Sequence, residues 1–225
     1  MTRKVFQRLS EDARRTSLIE ATLDCVAREG LHGASVRRIA EKAGVSAGLI
    51  RHYFPSKDAM LRASYAYLIG QLTGDAARYV DKAADRAGPD APDAALAQFV
   101  AANVSKPNLS ALKVSLWATF IGRVRADPAF ADIHRESYRE FLDILEGLIH
   151  PLLMTHDRPS DPASCQRLAV AVNGLIDGLW LEGSLEHGLY NPNRLPGIAL
   201  NAVEGILNLP HTTLTRHLAP QDTRI

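Results

Sequence analysis

The sequence has few of the features that mark secreted, membrane-spanning or disulfide-stabilised proteins. Its 225 residues include two cysteines, Cys25 and Cys165. Both lie within apolar helical patterns, so we expect buried free thiols rather than a disulfide framework or a thiol switch. No run of about 18 apolar residues occurs, and the N-terminal run MTRKVFQRLSED has no apolar core of signal-peptide length. These absences predict a cytoplasmic protein without a membrane span.

Motifs of catalytic and metal chemistry are missing as well. The sequence contains no phosphate-binding loop, dinucleotide fingerprint, HExxH or GxSxG. Its eight histidines are scattered, and no two have the four-residue helical spacing of a metal site with an acid beside them. We therefore expect no enzymatic activity, no catalytic residues, no metal and no cofactor.

No segment alternates between apolar and polar residues as a β-strand does, whereas helical periodicity runs through most of the chain. The pattern predicts an all-α protein with loosely ordered residues after 209 and a proline-marked loop over 151–162. Helices are predicted over about 10–30, 35–43, 46–53, 56–85, 93–104, 108–125, 128–149, 162–187 and 193–209.

Positive charge is concentrated near the N-terminus. Residues 1–62 hold 12 Lys and Arg against 7 Asp and Glu, while residues 63–225 hold 14 against 18. A local basic excess is the electrostatic footprint that DNA binding requires. We predict two domains, 1–55 for DNA binding and 56–225 for the remaining functions.

The stretch 35–57 has the pattern of a helix-turn-helix. Ser35 can cap a short helix, and Gly44 can end it because glycine adopts positive φ without steric cost. Ser46 can cap a second helix that runs to about Tyr53. One apolar face of this pair is formed by Val36, Ile39, Ala40, Ala43 and Ile50.

The second of these helices presents side chains suited to nucleic acid. Ser46, Ala47 and Gly48 open it with little bulk, so its N-terminus can come close to base edges and phosphates. Arg51 and His52 follow one turn later. An arginine there can donate a bidentate pair to guanine or bind a phosphate, and the sequence leaves both roles open.

Further cations surround the motif. The run PSK at 55–57 predicts the start of a third helix, whose free N–H groups would bind one phosphate together with Lys57. Each cation taken alone is equally consistent with an ordinary solvated surface. The residues 1–9, with Arg3, Lys4 and Arg8, form either a disordered terminus or a basic arm in the minor groove. The predicted DNA-binding residues are Arg37, Arg38, Ser46, Ala47, Gly48, Arg51, His52, Tyr53 and Lys57.

These residues resemble a known family. Ile39 and Ala40, AGVS at 43–46, Gly48 and YFPSK at 53–57 are similar to the DNA-binding domain of the TetR family of bacterial repressors. The family commonly has a tyrosine that touches the DNA backbone where this chain has Arg51. The run RHY at 51–53 resembles instead the choline-responsive, BetI-like subgroup, as does LIDGLW at 175–180.

The resemblance implies a homodimer bound to double-stranded operator DNA and released from it by a small-molecule effector. It also assigns effector binding and dimerisation to the domain 56–225. The last two predicted helices are apolar on more than one face, as an interface between two subunits requires. Gly174, Gly178 and Gly183 would let such helices approach closely.

A BetI-like protein is expected to bind choline. Aromatic faces and a nearby acid hold a quaternary ammonium, and the candidate effector-binding residues are Trp117, Phe120, Tyr138, Asp177 and Trp180. Large aromatics on helical faces are more often simply core. The alternative to a regulator is a helical protein–protein adaptor without specific DNA binding. Steep salt dependence distinguishes the two, because only DNA binding displaces many counterions.

Overall fold

The computed structural model describes residues 10–84, 88, 90–185, 188 and 191–218, with the backbone alone for residues 73–84. The predicted basic arm with Arg3, Lys4 and Arg8 lies outside this range. The described residues form helices and no strand, which confirms the all-α fold. The helices are α1 (Glu11–Gly33), α2 (Val36–Ala43), α3 (Ala47–Tyr53), α4 (Lys57–Ala84), α5 (Ala91–Asn103), α6 (Ala111–Val124), α7 (Pro128–Thr155), α8 (Pro162–Ser184) and α9 (Leu195–Ile206), with 3-10 turns at Pro192–Arg194 and Thr215–His217.

Helix α1 supports the helix-turn-helix from behind. The Ser10 hydroxyl accepts the N–H of Ala13 at 3.2 Å and caps its start. Leu18, Ile19 and Val26 form its buried stripe. Gly30 interrupts the helical backbone with φ 70° and ψ 175°, so residues 31–33 form a separate last turn that leads into α2.

The chain folds as two compact units. Of the described residues, the first unit comprises those up to Leu68 together with Leu116–Ile133, and the second comprises those of Ile69–Ser115 and those from His134 onward. The first unit therefore contains the helix-turn-helix, the start of α4, the end of α6 and the start of α7.

Three aromatic rings form the centre of the α4–α6–α7 part of the first unit. The Tyr65 ring centroid lies 5.3 Å from that of Phe120 and 5.6 Å from that of Phe130. All three residues are fully buried, and burial raises the pKa of Tyr65 to about 12. These contacts attach the first turns of α4 to the α6–α7 corner within one core.

A buried carboxylate organises one end of the second unit. Asp93 on α5 is 1% exposed, and its Oδ1 lies 2.8 Å from His156 Nε2 at the end of α7. Its Oδ2 accepts a hydrogen bond from Arg216 Nη2 at 3.0 Å, and the same Nη2 donates to Asp90 Oδ1 at 2.9 Å. The buried charge is thus paired on both oxygens, as burial requires.

The predicted loop over 151–162 is wrong in its first part. Helix α7 continues to Thr155 with Pro151 inside it. Pro151 removes one backbone hydrogen bond from the helix, but Leu152 and Leu153 directly after it are fully buried. Burial of these two side chains contributes about 2 kcal/mol each and offsets that loss.

The prediction of a loosely ordered tail is wrong for residues 211–218. The buried Glu204 carboxylate on α9 accepts backbone N–H groups from Thr212 at 3.2 Å, Leu214 at 2.8 Å and Thr215 at 2.9 Å. Leu214 is completely buried. The sequence did not predict this contact, because Glu204 reads as an ordinary helix residue and its partners lie in a segment without helical periodicity.

Candidate nucleic-acid interface

Helix α2 has the caps that the sequence predicted. The Ser35 hydroxyl accepts the N–H of Arg38 at 3.3 Å, and Gly44 takes the left-handed conformation, φ 65° and ψ 35°, at the other end. The Gly44 N–H donates to the carbonyls of Ala40 and Glu41. The turn between the two helices is therefore short and closed by its own hydrogen bonds.

Helix α3 also begins and ends as predicted. The Ser46 hydroxyl accepts the N–H of Leu49 at 3.2 Å, and Ile50 is 2% exposed in the angle between the helices. Ser46, Ala47 and Gly48 are exposed. A Cβ added at Gly48 would meet only the Ser46 hydroxyl, at 3.7 Å. The small residue at this position therefore serves no internal packing and leaves the outer face of α3 open.

The face of α2 that looks toward α1 carries charges that are already paired. Lys42 Nζ lies 2.6 Å from Asp24 Oδ2, and Arg28 Nε lies 3.2 Å from Asp24 Oδ1. Arg38 forms an ion pair with Glu29. Arg28 and Lys42 hold the pKa of Asp24 below its usual value, the Lys42 hydrogen bond most strongly. The cleft at this face, of about 400 Å³, is lined by Asp24, Cys25, Arg28, Glu29, Arg38, Glu41 and Lys42.

The unpaired cations lie elsewhere on the motif. Arg37 and Arg51 are exposed, and neither forms an ion pair or hydrogen bond within the part of the chain that the structure describes. His52 is exposed beside Arg51 and packs edge-on against Tyr53, with ring centroids 5.3 Å apart. Arg37, Arg51 and His52 are thus available to an external anion, whereas Arg38 is engaged by Glu29.

Lys57 has an internal partner that the sequence did not indicate. The Ser56 hydroxyl accepts the N–H of Ala59 at 3.0 Å and caps α4, as predicted. The Lys57 ammonium donates a hydrogen bond to the carbonyl of Leu31 at 2.8 Å. The two residues are 26 positions apart, so no local pattern could reveal the contact.

A second unpredicted contact involves the YFPSK run. Phe54 is 3% exposed, and the Arg15 guanidinium carbon lies 5.2 Å from the centroid of its ring. This distance is that of a cation–π pair. Arg15 thereby joins α1 to the end of α3. The sequence did not indicate this contact, because a charged residue in a helix is usually just solvated.

The five candidate effector residues are divided between the two units. Trp117 and Phe120 belong to the first unit, and Tyr138, Asp177 and Trp180 belong to the second. Phe120 is a member of the three-ring core described above. The Trp180 ring N–H donates to the carbonyl of Asn103 at 2.7 Å, and Tyr138 stacks on His134 with centroids 5.9 Å apart. Phe120 and Trp180 thus have packing roles, and the effector role of all five stays a prediction.

Asp177 is the member of this set with an unusual electrostatic environment. It lies half-buried on α8, and burial raises its pKa to about 6, while a hydrogen bond from the Asn173 amide, at 3.3 Å, opposes the shift. Desolvation penalises the ionised form more than one neutral amide stabilises it. A cationic group next to Asp177 would stabilise the ionised carboxylate, which burial otherwise disfavours.

Replacing Asp177 with asparagine is expected to stabilise the protein at pH 8, by about 1–3 kcal/mol in the free energy of unfolding. The folded-state pKa lies above the unfolded value of 3.8, so ionisation costs stability that grows as the pH rises from about 4 to 6 and then stays constant. The gain should shrink toward pH 4.5. Urea unfolding of both proteins at equal concentration across this range measures it, and a gain independent of pH would contradict the assignment.

The described residues hold no group of three or more His, Cys, Asp or Glu side chains arranged for a metal ion. Among the helices with described residues, none is long and apolar enough to cross a membrane.

Comparison with known proteins matches both parts of the chain to one family. Residues 18–64 match the model of bacterial regulatory proteins of the tetR family, and residues 92–208 match the model of the BetI-type transcriptional repressor C-terminal domain. The chain is 33% identical to the transcriptional regulator BetI of Pectobacterium atrosepticum over 178 residues, covering 79% of this chain and 86% of that protein. It is 29% identical to BetI of Burkholderia thailandensis, covering 87% and 94%.

A solved structure is similar over almost the whole chain. The crystal structure of a protein from Pseudomonas aeruginosa, described as a transcriptional regulator, is 31% identical in sequence and superposes with a TM-score of 0.78. The alignment covers 94% of this chain and 97% of that one.

Proposed function

The chain belongs to the TetR family of DNA-binding transcriptional regulators, with a BetI-type C-terminal domain, and from this premise we propose that it represses transcription as an effector-released homodimer. Each subunit places α3 in a major groove of double-stranded operator DNA. A small molecule bound by the C-terminal domain favours a conformation of the dimer that no longer fits the operator.

The proposed DNA contacts follow from which side chains are unpaired. The observation that carries them is the exposure of Arg37 and Arg51, which have no ion-pair or hydrogen-bond partner among the described residues. Arg51 and His52, with the small residues Ser46, Ala47 and Gly48, lie near base edges, and Arg37 and Tyr53 contact phosphates. Arg38 is already paired with Glu29, so its contribution to DNA binding is smaller than that of Arg37 or Arg51. Lys57 contacts a further phosphate at the start of α4, because its ammonium has donors beyond the one that it gives to the Leu31 carbonyl.

The proposed dimer interface uses the outer faces of α8 and α9. Large apolar side chains are exposed there, namely Val170, Leu181 and Ile198. Gly174 and Gly178 lie between the first two along α8, and a Cβ added at either would meet nothing within 4 Å. A flat apolar helix face of this kind suits the close packing of two copies about a two-fold axis.

Gly183 does not belong to this interface. A Cβ added there would lie 2.8 Å from Leu109 and 3.0 Å from Leu195. The glycine therefore permits close packing inside the subunit rather than between subunits.

The proposed effector is a small cation, and choline is the first probe because of the BetI-type domain. Tyr138, Asp177 and Trp180, which all belong to the second unit, are the proposed contacts. The half-buried Asp177 carboxyl, with a neutral amide as its hydrogen-bond partner, supports a positive ligand. Calorimetric titration and thermal stabilisation at millimolar choline test this step. Absence of both removes choline without affecting the repressor proposal.

The central test is binding to DNA from immediately upstream of the protein's own gene, titrated at several salt concentrations with unrelated DNA as competitor. A repressor is expected to bind this DNA specifically, with log K falling steeply as log salt rises. Binding no tighter than to the competitor moves the operator elsewhere, and failure to bind any DNA at low salt overturns the proposal.

A further inference from the structure

A single carboxylate holds the residues that follow α9. Residues 210–218, the C-terminal strap, lie beyond the part of the chain that matches the BetI-type domain. Glu204 is 4% exposed, and its oxygens accept the backbone N–H groups of Thr212, Leu214 and Thr215 at 2.8–3.2 Å. The Thr215 hydroxyl donates to the same carboxylate at 3.3 Å. Four donors therefore converge on Glu204, and an ionised carboxylate has acceptor sites for all of them.

The far end of the strap is attached to α5. Arg216 Nη2 donates to Asp90 Oδ1 at 2.9 Å and to Asp93 Oδ2 at 3.0 Å. Asp93 is also bonded to His156 at the end of α7. Leu214, between the two polar anchors, is completely buried. The strap therefore joins α9 to α5 directly and to α7 through Asp93.

The strap follows one flank of α9. Gly197 and Glu204 are seven residues apart, so they lie on the same side of the helix, about two turns from each other. A Cβ added at Gly197 would lie 3.8 Å from Cδ1 of Leu218, the last residue of the strap. This flank is next to the exposed side chain of Ile198, which belongs to the proposed dimer interface. The strap thus borders the face of α9 that is proposed to meet the second subunit.

The strap supplies α9 with contacts of a kind that its apolar side does not. Buried side chains such as Leu200 and Val203 attach the helix where it contacts α5 and α8, but apolar burial is non-directional. Hydrogen bonds are directional, so those of Glu204 hold α9 at one rotation about its axis. From this geometry we infer that Glu204 is a positioning residue. Through the strap it keeps the outer face of α9 in the orientation that pairing of two subunits requires.

This inference rests on the proposed homodimer, and it gives the interface a determinant that lies outside the contact surface itself. A strap that only stabilises the fold would change the unfolding of each subunit and leave the association of folded subunits as it is. A positioning strap changes the association of folded subunits. The dissociation constant of the dimer, measured under conditions where every variant is folded, separates the two roles.

The test compares wild type with Glu204→Gln and Arg216→Met. Glutamine has nearly the same shape, but its NH₂ group replaces one acceptor oxygen and cannot accept a backbone N–H. Methionine removes the attachment to α5 and leaves Glu204 in place. Glu136→Gln, at an exposed glutamate of α7, is the matched control. Sedimentation over a dilution series gives the dissociation constant, amide exchange over residues 212–216 reports the strap, and circular dichroism reports the fold.

For Glu204→Gln we expect the dissociation constant of the dimer to rise at least about tenfold, with faster exchange at residues 212–216 and an unchanged circular dichroism spectrum. Arg216→Met should show both effects to a smaller degree, and the control should show neither. Faster exchange with an unchanged dissociation constant in both variants would overturn the inference and leave the proposed repressor intact.

Unaltered exchange in Glu204→Gln would also overturn it, because the strap would then not depend on the carboxylate. A wild type that stays monomeric at every concentration would overturn the proposed dimer and this inference with it. The two failures are distinguishable, because only the second removes association from the wild type.

Discussion

Replacing Arg51 with alanine is expected to weaken operator binding by roughly 30- to 1,000-fold, because each of two subunits loses a contact worth about 1–2 kcal/mol. The side chain is exposed and has no partner in the described structure, so its removal should leave thermal stability unchanged. Fluorescence anisotropy with labelled operator measures the affinity.

The same variant decides which group Arg51 contacts. If the arginine reads a base, affinity for unrelated DNA stays the same and discrimination at one operator position is lost. If it contacts the backbone, both affinities fall together and the salt slope of the dimer falls by about 1.8.

Arg38→Ala is the control for this experiment. Arg38 is also an exposed arginine of the motif, but it is already paired with Glu29, and an exposed pair contributes about 0–1 kcal/mol. We expect a loss of affinity much smaller than that of Arg51→Ala or of Arg37→Ala. Equal losses for all three would contradict the division into paired and unpaired cations.

Replacing Leu181 with glutamate is expected to convert the dimer into monomers and to lower operator affinity by more than about 100-fold. Leu181 is 49% exposed on the outer face of α8, so the isolated subunit tolerates a carboxylate there. In the proposed interface the two copies would place like charges in a desolvated contact, which costs several kcal/mol. Sedimentation or light scattering gives the oligomeric state.

The matched control is Met154→Glu. Met154 is 60% exposed near the end of α7, outside the proposed interface, and the change introduces the same charge. This variant should remain dimeric and bind the operator normally. A Leu181→Glu protein that stays dimeric would place the interface on another surface, whereas dissociation of both variants would indicate a general loss of folding.

Short-range features were predictable because their physical causes are short-range. Ser35, Ser46 and Ser56 each cap the helix that starts directly after them, and Gly44 ends α2 with the positive φ that a tight turn requires. Such contacts span three or four residues, so the sequence contains both partners side by side. Apolar spacing located most of the longer helices in the same way.

The two predictions that were wrong concern segments held by contacts between residues far apart in the sequence. Proline at 151 predicted the end of α7, but the burial of Leu152 and Leu153 keeps the helix intact. The segment after 209 lacked periodicity, yet a single buried carboxylate on α9 orders it. In both places a tertiary interaction outweighed a local preference of a few kcal/mol at most.

The sequence by itself therefore determined that this chain is helical, that it carries a helix-turn-helix and that it resembles one family of regulators, because capping, periodicity and motif spacing are local properties. Only the tertiary structure decided which cations of the motif are paired with another described residue. Arg37 and Arg38 are neighbours with the same chemistry, and the position of Glu29 on another helix separates their roles. Lys57 likewise received its partner from a residue 26 positions away. Which charges pair, and which backbone carbonyls accept a side-chain hydrogen bond, depends on distances in the folded structure. A pattern along the sequence does not contain those distances.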